Sequence, residues 1–301
     1  MLNGQTFLIT GATGRLGRDL SARLEMLGAQ VLPLVLPGYP EQPRRVDWIA
    51  DSQPIVVQSA EDLTGLAKPD RVIHLHWQVQ RDKTFTEQMR YELDSNIHQL
   101  SFLWDWLKTH PPVSFSNISS IRVFSRLNQN PIQAMDSPHP DTPYGLLKQT
   151  AENFFEQHFA DCKTVVSHLR LGSVASPGEH PSQLLSRLYR SAFENEAIIV
   201  NSGHVTGLLW IDEAVDLLIS TAMHAQAQAY LLTPAAIDNA EIARCFMAVS
   251  GRTLNARYQN LAPDCPDPVF VSDIPQFQHD WVRQFSLQTM IQQRIKKESN
   301  T

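Results

Sequence analysis

The sequence predicts an α/β protein, a parallel sheet doubly wound by helices on both faces, with a smaller C-terminal region attached. Three observations predict it. Apolar runs of strand length alternate with amphipathic helical stretches as far as residue 170, and a turn carrying three glycines joins the first strand to the first helix. From about residue 177 the alternation gives way to loops rich in proline and polar residues.

Taken in order, Phe7, Leu8 and Ile9 read as a short buried strand, and Leu16, Leu20, Leu24 and Leu27 recur at helical spacing. "AQVLPLVLPG" is a second strand. Pro33 within it has no amide to donate, which predicts a short, irregular or partly edge-like strand at that point. "PIVVQSA" and "DRVIHLHW" are the third and fourth strands, with "EDLTGLAK" a short helix between them. Residues 87–108 form one long helical pattern striped by Leu93, Ile97, Leu100, Trp104 and Leu107. "PVSFSNISS" is the fifth strand, 144–160 the next helix, and "TVVSHLRLGSV" the sixth strand. "TGLLWIDEAVDLLISTAMHA" returns to a strand or turn and a helix, and the tail "RIKKESNT" is expected to fray. The division that follows is a sheet domain over 1–170, rejoined by 205–235, and a small substrate-binding region made of 171–204 and 236–301.

The chain has 301 residues, 43% hydrophobic and 19% charged, which is the balance of a globular protein with a large core. No apolar run has the length of a membrane span, and the first ten residues lack the layout of a signal peptide. A formal charge of −6 argues against nucleic acid as the main partner. Cys162, Cys245 and Cys265 are widely spaced and match no metal pattern, so we expect reduced thiols, no metal and a cytoplasmic protein.

The glycines of "TGATGRLG" sit where chemistry can use them. Gly11 allows a sharp exit from the strand, Gly14 lets an anion approach the backbone, and Gly17 lets the helix pack closely on the sheet. The unpaired amides of the helix start then face a pyrophosphate, with the helix dipole adding about 0.3 to 2 kcal/mol of attraction. A glycine-rich turn without a ligand is the alternative, but the flanking strand and helix favour a dinucleotide.

"DTPYGLLKQTAENFF" carries the second informative pattern. Asp141 or Thr142 can cap a helix, Pro143 suits its first turn, and Tyr144 and Lys148 lie four apart on one face. A tyrosine working as acid and base near neutrality must have its pKa lowered by about three pH units, roughly 4 kcal/mol. A neighbouring ammonium and an oxidised nicotinamide would supply this. Of the six tyrosines only Tyr144 has such a lysine. Upstream, "NISSIRVF" places Ser119 or Ser120 at a strand end, where a hydroxyl can orient a substrate oxygen.

Together these segments resemble the extended branch of the short-chain dehydrogenase/reductase superfamily, the NAD-dependent epimerase/dehydratase-like proteins. "TGATGRLG", "PDRVIHLHW", "SSIRVF", "YGLLK", "LRLGSVASPG", "LLWIDEAVDLL" and "FSLQTMIQ" carry the resemblance over essentially the whole chain. It implies a Rossmann-type sheet and hydride transfer with a nicotinamide cofactor. Tyr144 would be the general acid/base, Lys148 would lower its pKa and hold the nicotinamide ribose, and Ser120, the serine that matches, would orient the reacting carbonyl or hydroxyl. The cofactor would lie against Gly11, Thr13, Gly14, Arg15, Leu16, Gly17, Leu75, His76, Tyr144 and Lys148, and the substrate against Trp77, Ser120 and Ser173. The resemblance also implies a homodimer built from 87–108 and 144–160, whose patterns hold more apolar residues than one sheet-facing stripe requires.

The chain departs from the family in four places. Ile121 and Arg122 stand where sugar dehydratases carry acidic residues, which disfavours dehydration and leaves reduction, oxidation or epimerisation. His76 and Trp77 replace small alanines after the fourth strand. Ser173 replaces an asparagine common in nucleotide-sugar enzymes. Val35 stands where an acidic residue usually holds the ribose of NAD, and with Arg15, Arg44 or Arg45 as partners for a 2′-phosphate the expectation leans from NAD toward NADP. The sequence therefore predicts an NAD(P)-dependent oxidoreductase or epimerase acting on a sugar derivative, nucleotide-linked or not, or on another small hydroxyl or carbonyl compound. The competing readings are a dinucleotide sensor without turnover and a structural subunit of a larger complex.

Overall fold

The computed structural model describes residues 1–37, 49–80, 83–177, 179–234, 237–260, 268–272 and 286–298. Arg44, Arg45 and Cys265 lie outside them. The elements run β1 (Thr6–Thr10), α1 (Arg15–Met26), β2 (Gln30–Val35), β3 (Ile55–Val56), β4 (Arg71–His74), α2 (Phe85–Leu93), α3 (Ser101–Thr109), β5 (Ser114–Ser120) and α4 (Pro143–His158). The chain continues with β6 (Val165–Leu171), β7 (Ser173–Ala175), α5 (Leu184–Phe193), β8 (Ile198–Ser202), β9 (Val205–Thr206), β10 (Leu208–Trp210) and α6 (Ile211–Met223). It closes with β11 (Ala229–Leu232), β12 (Ile237–Asp238), α7 (Asn239–Ser250), β13 (Ala256–Asn260) and α8 (Leu287–Glu298).

Seven strands form one sheet in the order β11-β6-β5-β4-β1-β2-β3, and every pairing is parallel. Chain order runs outward in one direction from β1 and, after the crossover to β4, in the other, so the crevice between the ends of β1 and β4 is the place where such sheets bind ligands. The buried leucines of α1 and α6 (Leu20, Leu24, Leu217, Leu218) cover one face. Leu103, Trp104 and Leu107 of α3 with Phe155 and Phe159 cover the other. A third cluster gathers Ala175, Leu188, Val200, Trp210, Phe246 and Ile291 beside the sheet, from α5, α7, α8 and the short strand pairs.

Pro33 is accommodated by register. Gln30 and Leu34 bond toward β1, through Gln30 N to Gln5 O and Ala12 N to Leu34 O, whereas the odd residue Val35 bonds toward β3. Pro33 therefore turns its missing amide outward, and β3 begins only opposite Leu34. The strand is edge-like at that residue and regular elsewhere.

Two expectations need correction. The single helix over 87–108 is broken: α2 ends at Leu93, one π-helical turn spans Asp94–His98, and α3 starts at Ser101. Apolar spacing hid the break because Leu100, Trp104 and Leu107 still reach the core, while the π turn buries the polar Ser95 and Asn96. The tail "RIKKESNT" does not fray from its first residue, for α8 continues through Glu298, and 299–301 lie outside the described residues. Arg294 is the reason the helix holds. It is only 3% exposed, lies 3.5 Å from Glu179 and 2.9 Å from Glu298, and donates to Ser186 Oγ and to the carbonyl of Ser176.

Candidate active site

The glycine turn is built as its spacing demands. Gly11 has φ +66°, and a Cβ on it would lie 2.8 Å from the amide nitrogen of His76, so the turn and the segment after β4 can touch only through a glycine. A Cβ on Gly17 would lie 2.3 Å from the Gly11 carbonyl. Gly14 differs: it is extended, and its Cβ would meet only the Gly11 carbonyl, at 3.2 Å. Its bare side thus faces away from the protein. Gly14 is also the N-cap of α1, with no side chain capping the helix and no acidic residue in the first turn, which suits an anion such as a pyrophosphate. Thr13 and Leu16 are half-buried in the same turn, and Leu16 packs on two core clusters.

Ser120, Tyr144 and Lys148 come together at the C-terminal end of β5. Thr142, rather than Asp141, caps α4 through its Oγ1, which accepts from Gly145 N at 3.1 Å, and Pro143 occupies the first turn. Ser120 Oγ accepts from Arg122 N at 3.2 Å, and its hydroxyl acts on the Tyr144 phenol in the direction that lowers its pKa. Ser119 instead points inward, 3% exposed, with its Oγ buried and unpartnered. Lys148 is 4% exposed, and its Nζ donates to the Ile118 carbonyl at 2.9 Å and lies 5.8 Å from the centre of the Tyr144 ring.

The electrostatics differ from the expectation. Burial pushes the Tyr144 phenol up to about 12, outweighing the Ser120 hydrogen bond; Glu92 raises it further and Arg122 lowers it. Burial also pushes the Lys148 ammonium down to about 7, against the pull of Glu92 and Glu152. The lysine alone does not lower the phenol in this arrangement, because desolvation acts on both groups.

The segment after β4 supplies the rest of the wall. Leu75 N donates to the Thr10 carbonyl and its side chain packs on the core beneath the turn. His76 N donates to Thr10 Oγ1, and burial, then Lys148, pushes its imidazole down to about 4. Trp77 stacks over Lys148 and bonds to Glu92. Its ring centre lies 3.9 Å from Lys148 Nζ, and its Nε1 donates to Glu92 Oε2 at 3.1 Å.

Beyond Arg122 opens a cleft of about 280 Å³ lined by Ser173, Glu179, Arg187, His204 and Asn239 among others. Ser173 is half-buried on β7, its amide donating to the Gly207 carbonyl. Arg15 Nη1 donates to Ser176 Oγ at 2.8 Å, so this arginine bridges the glycine turn to the wall of the cleft. Arg15 is thus engaged toward Ser176, and nothing in its described contact supports the expected lean toward NADP. Among the described residues no group of three or more His, Cys, Asp or Glu could hold a metal, and no helix is long and apolar enough to cross a membrane.

Residues 7–230 match the sequence model of the NAD dependent epimerase/dehydratase family. The chain belongs to that family. No curated protein matches the chain. Among solved structures, UDP-N-acetylglucosamine 4-epimerase from Bacillus cereus is 19% identical at a TM-score of 0.79, covering 98% of this chain and 100% of its own. UDP-glucose 4-epimerase of Thermus thermophilus, in complex with NAD, is 14% identical at 0.79, with 97% and 98% covered. MoeE5 in complex with UDP-glucose and NAD is 19% identical at 0.76, with 99% and 100% covered. At these identities the likeness establishes the shared Rossmann-type fold of this epimerase/dehydratase family member.

Three residues of the site escaped the sequence reading. Glu92 is fully buried on α2, where its carboxylate also accepts from Gln88 Nε2 at 2.7 Å. Asn96, in the π turn, accepts from Gln78 N at 2.6 Å and donates to the Gln78 and Glu92 carbonyls, tying the segment after β4 to α2. Gly145 is needed because a Cβ there would lie 2.0 Å from the Arg122 carbonyl. The polar residues interrupting an apolar stripe were the available signal for Asn96; π turns of this kind recur at functional sites.

Proposed function

We propose that this protein is an NAD-dependent oxidoreductase or epimerase acting on a sugar derivative, free or nucleotide-linked. One observation carries the reading: Ser120, Tyr144 and Lys148 converge at the end of β5, across the crevice from a glycine turn with an open anion-facing side. The cofactor is NAD in this reading, which the family and the NAD complexes of similar folds support. When bound, the nicotinamide would accept or donate the hydride. Ser120 would hold the reacting oxygen, Tyr144 would give or take its proton, and Lys148 would bond the ribose and bias the phenol. Arg122 and Arg187 give the cleft cationic groups suited to a phosphorylated or otherwise anionic substrate. UDP-sugar complexes of similar folds support that class. Ile121 and Arg122 supply no carboxylate for dehydration. The protein would work in the cytoplasm as a homodimer through α2, α3 and α4, where Phe102, Trp106 and Phe154 remain half-buried.

A sensor that binds dinucleotide without turnover is the second reading, favoured by the Trp77 ring over Lys148 and by the phenol raised to about 12. Calorimetry with NADH and NADPH, followed by single-turnover assays over UDP-sugars and small ketones, tests both. Binding with no hydride transfer to any substrate favours the sensor, and no binding of either dinucleotide at millimolar concentration refutes both.

A further inference from the structure

We propose that Trp77 is a displaceable cover on Lys148, so that the nicotinamide end of a dinucleotide must push the indole aside whereas the adenosine diphosphate end need not. The inference rests on the cofactor reading above. In its ammonium form Lys148 Nζ carries three N–H groups, and one is spent on the Ile118 carbonyl. The indole ring centre lies 3.9 Å from Nζ, and the lysine is only 4% exposed, so the ring is part of what shields it from solvent. The cover has an anchor of its own: Trp77 Nε1 donates to Glu92 Oε2, and Glu92 is in turn held by Gln88. A cation facing an aromatic ring is attracted to it, and desolvation strengthens the attraction. A ligand group that replaces the ring must offset that attraction. The glycine turn has no such obstruction, since Gly14 opens outward.

The test compares NADH with ADP, which lacks the nicotinamide half, by calorimetry on the wild type, Trp77→Ala and Glu92→Gln, with circular dichroism verifying each fold. Removing the ring should tighten NADH by roughly 3- to 30-fold, the range of cation–π attraction, and leave ADP within about 2-fold. Glu92→Gln, which weakens the anchor and keeps the ring, should move NADH in the same direction by less. With 5-fluorotryptophan incorporated, the ¹⁹F resonance missing from Trp77→Phe should shift on adding NADH and stay in place with ADP. Equal changes for both ligands, no change for either, or weaker NADH binding in Trp77→Ala would overturn the proposal. In those cases ADP and NADH binding to the wild type would leave the cofactor reading standing. If no variant binds either ligand, that reading falls and this one with it.

Discussion

Replacing Gly145 by alanine tests how the site is assembled. The added methyl would lie 2.0 Å from the Arg122 carbonyl oxygen and 3.0 Å from Pro140 Cβ, whereas ordinary contact begins at 3.4 Å. The obstacle is backbone, so the start of α4 and the turn after β5 must part by about 1.4 Å. Tyr144 adjoins one side of that joint and Ser120 lies two residues from the other. Parting them by this much moves the Ser120 hydroxyl away from the Tyr144 phenol, on which it acts. Overpacking of this kind costs about 1 to 3 kcal/mol, or roughly 2 to 5 °C in Tm for a chain of this size. A misplacement near 1 Å costs about 10²-fold in turnover. Scanning calorimetry reads the first effect and single-turnover nicotinamide absorbance the second, with ADP affinity as the control expected to hold. A variant that melts within about 1 °C of the wild type and turns over undiminished would refute this account of the joint.

Tyr144→Phe should retain fold and cofactor affinity and lose about 10²- to 10⁴-fold in turnover; undiminished hydride transfer would exclude the phenol as acid/base. Burial pushes Lys148 down to about 7 from an unfolded value near 10.4, so between these pH values the unfolded chain holds the extra proton. Wild-type stability relative to Lys148→Met should therefore rise with pH across that window, by at most about 1.4 kcal/mol per pH unit, and urea titrations showing a flat or falling difference would contradict it. Light scattering should give a dimer, twice the 34.0 kDa chain; a monomer at working concentration would count against the proposed α2–α3–α4 interface.

The sheet was legible because its signals are local: strand-length apolar runs, glycines at a strand-helix turn and a proline whose outward amide position needs no partner. Tyr144 and Lys148 were legible for the same reason, being four apart on one helix. What stayed hidden depends on contacts between distant segments. The break after Leu93 is stabilised by Asn96 bonding to Gln78, 18 residues back, and Glu92 matters through Trp77, 15 residues back. The sign of the Tyr144 shift depends on how deeply the cleft withdraws both phenol and ammonium from water, which spacing along a helix does not encode. Arg294 looked like a solvated tail residue and is buried because two carboxylates and a carbonyl meet it there.

Ser176 receives Arg15 through its hydroxyl and Arg294 through its carbonyl, partners 161 residues before it and 118 after. During synthesis this joint is a late event. At about 5 to 20 residues per second, roughly 6 to 24 s separate the emergence of Ser176 from that of Arg294. The sheet strands through β6 are all made before then, so a nascent chain can hold a formed glycine turn while the opposite wall of the cleft still lacks its anchor.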